Sequence, residues 1–178
     1  DHLRPNQLFA VTLENILPEA TRKQVVDACW TLLVPGAIRT LADQPVEHEL
    51  PVHGAGGNLL NDPKRPYQGV YAGDEDMCRK PAYHNGTAWT WVFPSFCEGL
   101  MVAYGSEAVD MALDILSSTS GLFNDGCAGH LPEIVDGDAP HAQRGCGAQA
   151  WSATEVARVA RLLRGFKSRC RGKTGDGE

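Results

Sequence analysis

The sequence predicts an all-α domain of about five helices and two long loops, and three observations carry that expectation. Apolar residues recur at helical spacing in several separate stretches. No stretch alternates apolar and polar residues for long enough to read as a strand. Two stretches, 43–85 and 120–146, show no periodicity at all.

Taken in order, the first helix follows Arg4-Pro5-Asn6-Gln7 and carries Leu8, Phe9, Thr12 and Leu13. Pro5 suits a first helical turn, where its missing N–H costs nothing. Pro18-Glu19-Ala20 opens a second helix with the stripe Val25, Val26, Cys29, Leu32 and Leu33, and Pro35-Gly36 stops it. Stretch 43–85 holds Pro45, Pro51, Pro63, Pro66 and Pro81 with Gly54-Ala55-Gly56-Gly57, and reads as a loop with at most short strands. A loop of that length inside a compact domain is usually functional or mobile. The third helix is expected over 87–103, where Trp89, Trp91, Val92, Phe93, Phe96, Cys97, Leu100 and Met101 cover nearly every face, the mark of a buried helix. Gly105-Ser106 breaks it. Ser106 can cap a fourth helix that turns Val109, Ala112, Leu113 and Leu116 inward and places Glu107 and Asp110 in its first turn. The fifth, over 148–166, presents Val156, Val159, Leu162 and Leu163; Ser152 and Glu155 have capping-box spacing, which offers a later start. Residues 167–178 are expected to be a disordered tail.

With 178 residues, 43% of them hydrophobic, the chain can build one domain with a core. A net charge of −6 argues against nucleic acid, since phosphate binding needs clustered cations. The one basic cluster, Arg161, Arg164, Lys167, Arg169 and Arg171, reads as a solvated helix end favoured by the helix dipole. There is no apolar run of transmembrane length and no signal-peptide pattern, so a soluble chain with no membrane partner is expected. The sequence enters a structured segment directly at Asp1, which suggests a fragment, a processed chain or a subunit. Its six cysteines are spread without tight spacing, and Cys29 and Cys97 lie in apolar helical patterns; reduced thiols and a cytoplasmic setting are expected.

Two stretches concentrate chemistry. In 82–91, Tyr83, His84, Trp89 and Trp91 gather where a loop meets a buried helix. Aromatic faces stack on the apolar C–H faces of sugar rings, and His84 and Asn85 can bond hydroxyls. Tryptophans at such a place also serve as core, which is the reading for Trp91; His84 is read equally as ligand-facing or as a satisfied core histidine. In 130–138, Glu133, Asp136 and Asp138 share one loop. Glycoside hydrolysis needs two carboxyl groups, and such a loop can supply one, although acidic loops are most often simply solvated. Cys127, His130, His141 and Cys146 have a spacing reminiscent of zinc ligands, loosened in its second half and interrupted by Arg144.

Four ordered blocks are together recognisable: Leu3-Arg4-Pro5-Asn6-Gln7, Pro35-Gly36-Ala37-Ile38-Arg39-Thr40-Leu41, Tyr83-His84-Asn85-Gly86-Thr87-Ala88-Trp89, and Pro132-Glu133-Ile134-Val135-Asp136-Gly137-Asp138 with Gln149-Ala150-Trp151-Ser152. In this order they resemble the C-terminal glucosidase domain of glycogen debranching enzymes. The resemblance implies an (α/α)6 toroid, of which this chain would be the C-terminal half. It implies inverting hydrolysis of the single α-1,6-linked glucose left at an α-glucan branch stub, with no metal or organic cofactor. By resemblance, Glu133 looks like the general base, with Asp136 as the alternative. Tyr83, His84 and Asn85 look like sugar contacts, and Trp89 like a stacking wall. Arg4 and Asn6 stand at pocket-side positions, and Gln149 and Trp151 support the base loop. The family's pattern has Gln at Asn85 and Pro at Thr90, and a shorter loop than 43–66. Its general acid lies in an earlier Trp-Met-Asp type motif, which these residues do not contain. The lone chain is therefore expected to be inactive, and to be completed by an N-terminal segment or a partner chain. The alternatives are a glucoamylase- or trehalase-like exo-glycosidase, a non-catalytic carbohydrate-binding or assembly subunit, and a zinc-stabilised helical module.

Overall fold

The computed structural model describes residues 1–13 and 16–174. Six α-helices are assigned among them, α1 (Leu8–Thr12), α2 (Glu19–Cys29), α3 (Lys80–Tyr83), α4 (Phe93–Tyr104), α5 (Val109–Ser117) and α6 (Ala150–Thr174), with several 3-10 turns. The helix α4 is the centre of the molecule, and α1, α2, α5 and α6 all pack against it. Phe93, Phe96, Cys97 and Leu100 are fully enclosed; burying a side chain of that size contributes about 1.5–3 kcal/mol. Gly99 sets the closest approach. A Cβ there would stand 3.3 Å from Val26 of α2, so the missing side chain helps admit α2, while Leu8 of α1, at 3.7 Å, would stay in ordinary contact.

The expected all-α toroid half is not what forms. The chain builds a five-stranded antiparallel sheet in meander order from β1 (Leu33–Val34), β2 (Ala37–Arg39), β3 (Ala88–Trp89), β4 (Ile134–Val135) and β5 (Gln143–Arg144). The strands are two or three residues long, too short to show alternation. The inner ones are also buried on both faces. Ile38, Trp89 and Ile134 turn towards the helical core, while Val34, Ala37, Ala88 and Val135 form a second apolar layer with Leu122. Such strands read as apolar runs, which periodicity cannot tell from buried helix. The helix expected over 87–103 therefore starts later than expected. Residues 88–89 pair with β2 and β4, and the helix begins only at Phe93, with Pro94 in its first turn, the position that proline favours. Pro35-Gly36 does more than stop α2. It makes the β1–β2 hairpin turn, in which Gly36 holds φ +72°, a conformation open to glycine at little cost.

The break at Gly105 is observed, and Val109, Ala112 and Leu116 of α5 point inward. Ser152 does not cap α6; it lies inside the helix, buried, with its hydroxyl 2.6 Å from that of Thr90. The helix continues past the expected tail start at 167, through Thr174; residues 175–178 of that expected tail lie outside the described residues. Arg158 ties α6 to α4 through Glu98 at 2.6 Å, with Glu155 at 2.9 Å. No helix among the described residues is long and apolar enough to cross a membrane.

Candidate active site

The sheet gathers both chemistry-bearing stretches. Ala88 pairs with Val135 and Trp89 with Ile134, so Thr90 stands beside Glu133. Glu133 lies immediately before β4, and its backbone is held on two sides. Its N–H donates to the Cys146 carbonyl at 2.8 Å, and its carbonyl accepts from the Thr90 N–H at 3.3 Å. Proline at 90 would have no N–H to give, so the threonine here adds a tether to the acid's own backbone.

The Glu133 side chain is half-buried. Oε1 accepts from the Tyr83 hydroxyl and Oε2 from the Cys146 N–H at 3.0 Å. Gly145 makes the second contact possible. It adopts φ +66°, and a Cβ there would fall 2.5 Å from Oε2. Tyr83 is a secure donor, because burial first and the Glu133 carboxylate second push its phenol well above the ordinary tyrosine range. No cation pairs with Glu133 among the described residues.

The neighbouring acids are differently placed. Asp136 is only 4% exposed. Its Oδ2 accepts from Arg144 Nε and Nη2 at 3.0 and 2.9 Å, and its Oδ1 from the Tyr71 N–H at 2.7 Å. That is a pin fastening β4 to β5 and to the 43–85 loop. Asp138 accepts from the Tyr67 hydroxyl at 2.8 Å.

Tyr83 is also the edge of an aromatic cluster. Its ring lies 4.9 Å from that of Trp89 and 4.8 Å from that of His84, and His84 stacks on Trp89 at 5.5 Å. Trp89 meets Trp151 edge-on at 6.0 Å; Trp151 stacks on Trp91 at 4.9 Å. Beside them lies a half-open hollow of about 280 Å³, walled by Trp89, Trp91 and Trp151, with His84, Asn6 and Thr40 as its polar groups. No carboxylate is among the lining residues, and Glu133 reaches this wall through Tyr83 rather than standing on it. His84 is exposed on the hollow's rim; partial desolvation, then the Arg4 guanidinium, lower its pKa, which favours the neutral imidazole.

The other expected contacts divide. Asn6 and Trp151 line the hollow. Arg4 and Asn85 are committed to one another: Arg4 Nη2 donates to Asn85 Oδ1 at 2.9 Å, Nη1 to the Thr40 carbonyl at 3.2 Å and to that of His84, and Asn85 Nδ2 to the Pro81 carbonyl at 2.8 Å. They form a clamp that positions His84. Gln149 holds the loop through its backbone N–H to the Leu131 carbonyl at 2.9 Å. The sequence reading missed Trp91 as a wall residue and Arg144 as the partner of Asp136. Nothing local in the sequence marks a pair that meets only across a strand register. Among the described residues, no three His, Cys, Asp or Glu side chains are gathered to hold a metal ion, so Cys127, His130, His141 and Cys146 do not form the site their spacing suggested.

The sequence model of the family described as amylo-alpha-1,6-glucosidase matches residues 1–158 of the 178. The chain belongs to the amylo-alpha-1,6-glucosidase family. The match covers Glu133, the aromatic hollow and the first turns of α6, and stops at Arg158. This family is one of glycoside hydrolases, in agreement with the resemblance read from the four blocks. No curated protein matches the chain.

Proposed function

We infer that this chain supplies the general-base side of an inverting α-1,6-glucosidase site, acting on the single glucose left at an α-glucan branch stub. One observation supports the reading: Glu133, half-buried and without a cation partner among the described residues, is oriented by the Tyr83 hydroxyl and the Cys146 N–H, and Tyr83 packs on Trp89 of the aromatic hollow, whereas Asp136 is held by Arg144. A base must accept a proton from the attacking water. A carboxylate has about four lone-pair sites, and two are taken here, which leaves acceptor capacity on a half-buried side chain. At about 280 Å³ the hollow lies at the lower end of the roughly 300–1,000 Å³ usual for small-molecule sites, room for one hexose ring.

Inversion needs a second carboxyl about 6.5–9.5 Å from the base to protonate the leaving oxygen. The hollow offers none from its own lining residues, so the acid comes from a segment or partner chain beyond these residues. The six free thiols fit a reducing, cytoplasmic setting.

The test is glucose release from a branched limit dextrin. The 178-residue chain alone should show none. In the whole enzyme, Glu133→Gln should remove about 10²–10⁴-fold of turnover, the usual range for a general base, whereas Asp136→Asn should act on stability rather than turnover. Full turnover by the whole enzyme carrying Glu133→Gln would leave this chain a carbohydrate-binding subunit only.

A further inference from the structure

The helices α5 and α6 pack side by side, joined at their surface by the Lys167–Asp110 ion pair. On α6, Ser152, Val159 and Leu163 are buried, while Ala157, Arg161 and Arg164 are exposed. Neither guanidinium has a carboxylate within ion-pair distance among the described residues. They border a shallow depression of about 520 Å³, lined otherwise by Ala157, Ala160, Gly165 and Ser168. Gly165 keeps it open, since a Cβ there would meet only the end of Arg169, at 3.5 Å. A glycine inside a long helix weakens it, and the close approach of another surface is one reason to have it there. The family match stops at Arg158, so most of this depression is built by residues beyond it. The outer face of α5 is opposite in sign and in shape. Met111 stands 43% exposed. Glu107, four residues before it, and Asp114, three after, fall on its face of the helix. Both are exposed, and neither has a cation partner among the described residues.

One surface thus carries an apolar knob with an acidic rim beside a small-residue depression with a basic rim. A two-fold contact needs just such a surface, because an isologous interface must be complementary to itself. An anionic membrane or a nucleic acid would attract the arginines and be repelled by the carboxylates beside them. We propose that the chain pairs with a second copy of itself through this surface, α5 of each copy lying on α6 of the other. Met111 of each copy enters the depression beside Gly165 of the other, and Glu107 and Asp114 meet Arg161 and Arg164 across the contact. The depression runs roughly 17 Å along α6, from Ala157 to Ser168. That is short for a permanent dimer, so the association is reversible and sensitive to salt. It stands independently of the glucosidase reading.

The experiment is sedimentation velocity of the 178-residue chain over rising concentration. It is run at about 0.1 M and about 1 M salt, between which the screening length falls from about 10 to about 3 Å. The expected mass grows from one chain towards two at the lower salt and stays at one at the higher. Two charge reversals locate the contact. Arg161→Glu with Arg164→Glu leaves both helices acidic on this face, and Glu107→Lys with Asp114→Lys leaves both basic. Each double variant alone should remain a single chain. An equimolar mixture of the two should dimerise, because each supplies the sign that the other has lost. Met111→Ser should weaken association about tenfold. A wild-type chain that stays single at every concentration, a dimer indifferent to salt, or a mixture that stays apart overturns the proposal. So does a single wild-type chain that binds a glutamate-rich peptide, which would give the arginines to another acidic partner. Substitutions at exposed positions rarely unfold a domain. Should a reversal do so, Met111→Ser, which changes no charge, decides, and a dimer that it leaves unweakened overturns the proposal.

Discussion

Within one loop, Glu133 and Asp136 illustrate how surroundings sort identical chemistry. Asp136 is enclosed and meets three donors, two of them on a guanidinium. Its removal leaves the Tyr71 N–H and Arg144 without their acceptor, and hydrogen bonds to charged groups are worth about 1.5–3 kcal/mol. Asp136→Ala should therefore lower the unfolding free energy by about 2–3 kcal/mol, read as a shift of the urea midpoint at constant slope. A midpoint like that of the wild type would mean that the pin does not act as drawn. Glu133 meets two neutral donors and keeps part of its surface open, so its replacement should cost little stability.

At the scale of elements, what positions the site is the packing of α4 and the narrow sheet beside it. Gly99 lets α2 approach α4 closely, and overpacking a filled core costs about 1–3 kcal/mol. Gly99→Val should lower stability by that amount, measured by thermal or urea unfolding. The helices α2, α5 and α6 were legible because each has an apolar stripe at helical spacing, and α4 because apolar residues cover nearly all its faces. The sheet was not, since strands of two or three residues buried on both faces offer no alternation. The 43–85 stretch was legible as irregular. Its roles, the Tyr71 N–H on Asp136 and the Tyr67 hydroxyl on Asp138, were not, because both contacts join residues far apart in sequence. For the same reason the hydrogen bond from Arg4, a pocket-side position, to Asn85, read as a sugar contact, was not legible.

Across the whole molecule, the β4 register and the β4–β5 turn bring a carboxylate from one stretch against the aromatic rings of another, and α6 lays Trp151 over the result. The glucosidase family was readable from four short ordered blocks. The toroid that went with the resemblance was not what these residues form, because resemblance of site segments does not specify how the intervening chain packs. The most direct test of Glu133 as the base uses the whole enzyme carrying Glu133→Ala, given branched limit dextrin and sodium azide. Shortening the side chain makes room for a small anion where the activated water would stand. Azide then attacks the anomeric carbon while the enzyme's acid protonates the leaving oxygen. The account predicts loss of glucose release and, with azide, accumulation of β-glucosyl azide, the inverted product. Undiminished glucose release from that variant, or an α-configured azide, would contradict it.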